Sequence, residues 1–219
     1  MAEVRPFLLE ENIPHDPVVL FDQWFKEQAA LSPNVLFDDG KGVTLTTCVN
    51  NKPTSRVVQL KSYENDEFVF CTSYTSRKGR ELEANPNACL LFFWPKLHRQ
   101  VRIEGQVKRI SDQLADEIWN ERPLPARVTC SISHQSSDVE NREDLVKKTA
   151  ELEKLAEEKG EAAFPRPVSW GGYVLKADYF EFWQGQTDRL HDRIVFSQEG
   201  EGKCGKKTES GWLMKRICP

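Results

Sequence analysis

Eleven residues from Trp183 to Arg193 hold a tryptophan, His191 and the two arginines Arg189 and Arg193, and an apolar run to Phe196 follows. Surface loops favour Ser, Gly and Lys, and core strands avoid Arg. An aromatic, guanidinium-rich segment suits a planar anionic ligand, because Arg offers a rigid fork to an anion and Trp a flat face. The alternative is a salt-bridged hairpin with an exposed tip.

A second concentration of charge is Ser76-Arg77-Lys78-Gly79-Arg80, read as the start of a short helix. Helix N-termini carry partial positive charge, so three cations there are unfavourable without an anion. Free backbone N–H groups with Arg and Lys make a phosphate site. The competing reading is a solvated turn whose cations pair with Glu81 and Glu83. Arg56 and Lys61 fall on one expected strand, five residues apart. They point to opposite faces unless the strand bends between them. Gln100 opens another strand, and Ser133-His134-Gln135-Ser136-Ser137 either bonds a phosphate or caps the next helix. No nucleophile–base pair, Gly-x-Ser-x-Gly elbow, paired carboxylates or phosphate-binding glycine loop is present. Anion-seeking patches without acid–base machinery point to a bound organic cofactor that carries the chemistry.

The chain has 219 residues, enough for a sizeable core. Lys plus Arg number 30 against 34 Asp plus Glu, a net charge of −4. That balance argues against nucleic-acid binding through bulk charge. The six cysteines (48, 71, 89, 130, 204 and 218) form no CxxC and have no His at ligand spacing, so no metal site is expected. The opening residues lack a secretory apolar core and no run reaches membrane-span length, giving the expectation of a cytoplasmic protein.

The elements that must position these groups follow from pattern. Asp16-Pro17 opens a helix with Val18, Phe21, Phe25 and Ala29 on one stripe. Strands are expected at 42–49, 54–61, 67–72, 87–94, 100–110, 170–177, 179–183, 191–197 and 212–217. Helices are expected at 76–85, 111–121 and 141–159, the last with a Leu145, Leu152, Leu155 and Ala156 stripe and Gly160 as its C-cap. Residues 198–210 read as a loop. Short strands in hairpins with intervening helices predict an α+β, mainly β chain, folded as a closed or partly closed antiparallel barrel. Residues 1–15 are expected to form an arm and 16–219 one domain.

Several segments together resemble the pyridoxine (pyridoxamine) 5′-phosphate oxidases. They are Arg56-Val57-Val58-Gln59-Leu60-Lys61, Ser76-Arg77-Lys78-Gly79, Arg99 to Gly105, Ser133 to Ser137, Ser169-Trp170-Gly171-Gly172-Tyr173 and the 183–196 stretch. The resemblance spans nearly the whole chain. It implies an FMN-binding split β-barrel working as a homodimer, with flavins at the subunit interface. It further implies FMN contacts from Arg56, Val57, Val58, Gln59, Lys61, Cys71, Thr72, Arg77, Lys78, Gln100, Gln135, Ser136, Trp183 and Arg193. The substrate, pyridoxamine or pyridoxine 5′-phosphate, would meet Lys61, Arg122, Arg189, Leu190 and His191. Of these, Arg189 and His191 would hold the pyridine over the flavin.

The chain departs from that pattern at the substrate phosphate. Lys61 and Arg122 remain, but the family's Tyr position reads Ile118 and its Ser position Ala126, within a Leu124–Cys130 stretch that replaces a glycine-containing one. Trp119, next to Ile118, is the aromatic available to shift into the Tyr role. A hydrogen bond to a charged group contributes on the order of 1.5–3 kcal/mol. Losing two would weaken binding roughly a hundredfold or more.

Overall fold

In the computed structural model, residues 7–31, 40–132, 134–198 and 205–219 are described. Asp16 opens α1 (Pro17–Leu31) by accepting from the backbone N–H groups of Val18 (2.8 Å) and Val19 (3.3 Å). The buried stripe of α1 is Leu20, Phe21, Trp24 and Gln28, turned from the expected one. Val18 and Phe25 pack only partly buried against the core. Phe21 is the centre of an aromatic cluster, with Tyr63 and Phe92 at 5.0 Å and Phe68 at 5.2 Å.

The strands are β1 (Gly42–Val49), β2 (Lys52–Glu64), β3 (Glu67–Ser73), β4 (Asn87–Trp94), β5 (Arg99–Arg109), β6 (Trp170–Gln184), β7 (Asp192–Ser197), β8 (Lys206–Lys207) and β9 (Leu213–Arg216). All pairings are antiparallel. The order is β3-β2-β1-β4-β5-β6, and β6 pairs back to β3, which closes a six-stranded barrel; β7, β9 and β8 continue the sheet beyond β6. Alternation explains the core: Val43 and Leu45, Leu90 and Phe92, Val101 and Ile103, and Phe180 and Phe182 all point inward.

Two of the expected strands, 170–177 and 179–183, are one. Strand β6 runs along β5 from Tyr173 to Gln184 on one edge. On its other edge it serves β3 through Lys176 and β7 from Tyr179 onward. The change of partner falls where the β5–β6 register shifts between Glu104 and Gly105. Gly105 lies so close to β6 that an added Cβ would sit 1.9 Å from the Lys176 carbonyl. This bulge is what splits the barrel.

Helix α2 (Arg77–Ala84) sits across the hairpin end of β1 and β2 and buries Leu82. Outside β3 and β6, α3 (Asp112–Asn120) forms a second core of Ile118, Trp119, Trp170 and Val174. Helix α4 (Leu124–Ile132) was not expected from the sequence and packs on α5 (Arg142–Lys159). Asn141 caps α5, its Oδ1 accepting from the Asp144 N–H at 3.0 Å. The α5 stripe is only half-buried. Gly160 ends the helix with φ +64°, as expected. Of the 198–210 loop, Lys206–Lys207 pair with β9, while residues 199–204, Cys204 among them, lie outside the described residues, as does Ser133.

Candidate functional site

The sequence-predicted residues fall into two groups. The first lies around a cleft of about 730 Å³ whose lining includes Cys71, Thr72, Arg122, Cys130, Gln135 and Trp170. Ser76 caps α2 by accepting from the Gly79 N–H at 3.2 Å. That places Lys78 where its ammonium donates to Thr72 Oγ1 (3.2 Å), Ser76 Oγ (3.4 Å) and Gln135 Oε1 (3.1 Å). Thr72 Oγ1 in turn donates to Gln135 Oε1 at 3.0 Å. Gln135 therefore reaches back to β3, and capping of α5 is left to Asn141. Ser136 follows with a left-handed φ of 70°.

The cations at the start of α2 divide their roles. Arg77 Nε pairs with Glu81 at 2.9 Å, as the solvated-turn reading expected, while Glu83 takes Arg109 at 2.7 Å. Arg56 is also committed to Glu81, at 2.8 Å, and donates to Thr47 and Thr54. Burial alone would push the Glu81 carboxyl up. Hydrogen bonds from Thr47, Thr54, Arg77 and Arg56 outweigh it and hold the group at about 2. Lys78 is different, because its three acceptors are all neutral. Partial burial, reinforced by the Arg56 charge and only partly offset by Glu81, holds its ammonium below the ordinary lysine value. A half-buried cation with neutral acceptors, at a helix N-terminus, fits an anionic group such as the FMN phosphate.

Arg56 and Lys61 do end on different sides, as an odd spacing on one strand requires, the β2–β3 register shifting only at the far end of that stretch, between Leu60 and Ser62. Lys61 Nζ reaches Glu121 at 2.7 Å, beside Arg122. Arg122 stands over Trp170 with its guanidinium carbon 5.2 Å from the ring centroid, and its Nη2 lies 3.6 Å from Cys130 Sγ. Its Nε is buried without a hydrogen-bond partner. Burial pushes the Cys71 thiol up to about 11, with the Arg122 and Lys61 charges pulling the other way.

The departure at the substrate phosphate takes a definite form. Ile118 is 6 % exposed inside the second core. Trp119 does not shift into an aromatic binding role: it is 1 % exposed, its Nε1 donates to the Phe164 carbonyl at 3.0 Å, and its ring packs edge-on to Trp170 at 4.8 Å. Ala126 is half-buried on α4.

The second group is a cross-strand row on the outer face of β5, β6 and β7. Gln100 is the register partner of Trp183, and Trp183 of Arg193. Phe93 on β4 extends the row as the partner of Gln100. Arg193 is fixed by Glu181 at 2.7 Å and by the Cys218 carbonyl at 2.8 Å. Glu181 also binds Arg102 at 2.6 Å. Sequence reasoning missed Glu181, although a carboxylate amid Tyr179, Phe180, Phe182 and Trp183 was the available signal. Beyond the row, the Gln186 N–H donates to His191 Nδ1 at 3.0 Å, and the His191 and Trp183 rings are 5.1 Å apart. That bond leaves Nε2 as the protonated nitrogen of the neutral ring. Arg189 has φ 66°, and Leu190 is exposed.

Among the described residues no hydrogen bond or ring contact joins the two groups. Val57, 67 % exposed on the outer side of β2, and Phe93, 60 % exposed, lie on the same outer sheet face as the row. Also among the described residues, no helix is long and apolar enough to cross a membrane, and no cluster of three or more His, Cys, Asp or Glu is placed to hold a metal.

Residues 36–156 match the pyridoxamine 5′-phosphate oxidase family, and residues 170–219 match the pyridoxine 5′-phosphate oxidase C-terminal dimerisation region. Pyridoxine-5′-phosphate oxidase of Bos taurus is 43 % identical over 211 residues, covering 93 % of this chain and 78 % of that protein. Pyridoxine/pyridoxamine 5′-phosphate oxidase of Leptospira biflexa is 40 % identical, covering 99 % and 95 %. Among solved structures, PhzG of Burkholderia lata, in complex with tetrahydrophenazine-1-carboxylic acid, superposes with a TM-score of 0.84 at 30 % identity over 98 % of each chain. An FMN-binding protein of Nostoc punctiforme shares the fold, with a TM-score of 0.69 at 13 % identity. A closed barrel split at β6, carrying these motifs over its length, belongs to the pyridoxamine 5′-phosphate oxidase family.

Proposed function

We propose that this chain is an FMN-dependent oxidase that converts pyridoxamine 5′-phosphate and pyridoxine 5′-phosphate to pyridoxal 5′-phosphate, with residues 16–219 working as one unit in a homodimer. The observation that carries this reading is a pair of cationic anchors on one cleft. Lys78 bonds two cleft residues, Thr72 and Gln135, and Arg122 lines the cleft with no carboxylate partner among the described residues. Two anchors suit two phosphates, one on the cofactor and one on the substrate.

In this reading Lys78, Arg77 and Gln135 hold the FMN phosphate, with Arg56 positioning Glu81 and α2, while Val57, Val58, Gln59, Cys71, Thr72 and Ser136 line the flavin. Gln100, Trp183 and Arg193 come from the partner's copy of the outer row, since within one chain that row makes no contact with the cleft. The family's C-terminal dimerisation region contains Trp183 and Arg193, and exposed Val57 and Phe93 supply apolar surface for the interface. Lys61 and Arg122 hold the substrate phosphate. Arg189, Leu190 and His191 close over the pyridine, with His191 held by Gln186 and Trp183 so that its Nε2–H can donate. The chemistry supplied by bound flavin is acceptance of hydride from the substrate's C4′ at N5, with O2 as final acceptor giving hydrogen peroxide.

The test is an absorbance spectrum of the purified protein followed by a peroxide assay. A yellow protein that releases peroxide with pyridoxamine 5′-phosphate is the expected result. Flavin-loaded protein with no turnover at millimolar substrate would remove this reading. The second reading is a divergent flavoprotein or pyridoxal-phosphate binder with little oxidase activity on phosphorylated substrates. Ile118 and Ala126 favour it, since neither offers a hydroxyl, and PhzG shows the same architecture in complex with a phosphate-free tricyclic acid. Turnover of a phosphate-free aromatic acid with none of pyridoxamine 5′-phosphate would select it.

A further inference from the structure

Arg127 lies in the first turn of α4, where a cation opposes the helix dipole. It is only 5 % exposed, and an arginine that deep is rare unless its donors are all engaged. Its one carboxylate partner among the described residues, Glu161 at 3.3 Å, is mostly solvated, so that pair contributes little. Its short hydrogen bonds go elsewhere. Nη2 donates to the Asn120 carbonyl at 2.6 Å and Nε to the Arg122 carbonyl at 3.0 Å. Those carbonyls stand at and just beyond the C-terminus of α3, the negative end of that helix, where a cation is favourable. Arg127 therefore caps α3 from the following helix.

The same two bonds clamp the backbone on both sides of Glu121 and at Arg122 itself. A second brace joins this corner to the segment after α5, through the Trp119 Nε1–Phe164 carbonyl bond and the Arg127–Glu161 pair. The Arg122 side chain leaves this fixed backbone to stand over Trp170 beside Cys130.

We propose that Arg127 is a positioning residue for substrate binding, holding the guanidinium of Arg122 preorganised for the substrate phosphate; this rests on the assignment of Arg122 to that phosphate. Preorganisation removes the cost of ordering a long side chain when the anion arrives. It carries more weight here than in a site with added hydroxyl donors, because positions 118 and 126 hold Ile and Ala.

The experiment compares Arg127→Met, Arg127→Lys and Arg122→Met, and the Arg122→Met/Arg127→Met double variant, as FMN-loaded enzymes turning over pyridoxamine 5′-phosphate. Arg127→Met is expected to raise KM about tenfold, with kcat within about twofold and flavin content unchanged. Arg127→Lys should recover part of the loss. The double variant should bind substrate no worse than Arg122→Met alone, since a clamp has no function once the clamped group is gone. A wild-type KM in folded, flavin-loaded Arg127→Met overturns the proposal, and so do effects that add in the double variant. If Arg127→Met fails to fold, Arg127→Gln, which keeps an N–H donor for one carbonyl, is measured with the same criteria. An unchanged KM in Arg122→Met overturns the phosphate assignment first and the role of Arg127 with it.

Discussion

The Lys78 ammonium lies 3.1 Å from the Gln135 side-chain oxygen, across 57 residues of sequence. This one bond ties the start of α2 to the segment between α4 and α5, and among the described residues the charge has no carboxylate acceptor.

Replacing Lys78 by Met is expected to weaken FMN binding roughly 10- to 100-fold, the loss of one charge-assisted hydrogen bond to phosphate. Fluorescence quenching during flavin titration measures it. Because the ammonium is held below the ordinary lysine value of 10.5, the unliganded protein loses the charge before an exposed lysine does. As pH rises, wild-type affinity should accordingly begin to fall before pH 10.5 is reached. An affinity insensitive to both changes would remove Lys78 from the phosphate site.

Glu81→Gln is expected to destabilise the fold by about 3 kcal/mol at neutral pH, because it leaves the largely buried Arg56 short of a counter-charge. The sign with pH follows from the carboxyl's position near 2, below its ordinary 4.5. Its contribution is complete above pH 4.5 and fades as pH falls through 2. Urea denaturation of both proteins should show their difference narrowing across that window. A constant difference would mean that Glu81 acts by packing alone.

At the altered positions the two restorations should behave differently. Ala126→Ser adds one hydroxyl to a half-buried helix position and should keep wild-type stability while lowering KM a few-fold. Ile118→Tyr forces a larger ring into a core already filled by Trp119 and Trp170, at a cost of about 1–3 kcal/mol. Its thermal midpoint should drop by a few degrees. Equal stability of the two variants would contradict the packing at Ile118.

His191→Leu removes the Nε2–H donor while leaving an apolar neighbour for Trp183. A loss of about tenfold in kcat/KM with unchanged flavin content is expected. Unchanged kinetics would separate His191 from the substrate.

Much of this was legible in the sequence because local chemistry decided it. Asp16-Pro17, Ser76 and Gly160 mark helix ends by capping, and strand alternation marks the barrel interior. The break read between 177 and 179 is real as chemistry, but it is a bulge within one strand, since the polar Asp178 interrupts the pattern without ending the pairing. Helix α4 was hidden by Pro123 and Pro125 and by β-branched Val128 and Thr129, whose intrinsic preferences run against helix; packing on α5 overrides them. The α1 stripe turned because Trp24 has a barrel partner, Phe182, at 5.3 Å. The partners of charged groups were the least legible feature. Arg56–Glu81, Arg193–Glu181 and the Arg127 clamp join residues whose separation no periodicity records.

The division of β6 between two neighbours also exposes the chain to a hazard. If β7 and its companions were to peel away, the Tyr179–Gln184 half would present unpaired backbone donors and acceptors along a segment rich in Phe and Trp. The remaining barrel would stay closed beside it, so the protein would retain most of its structure while displaying an adhesive edge. Self-association of such a partly opened form through that edge makes the anchoring of the final strands a guard against aggregation.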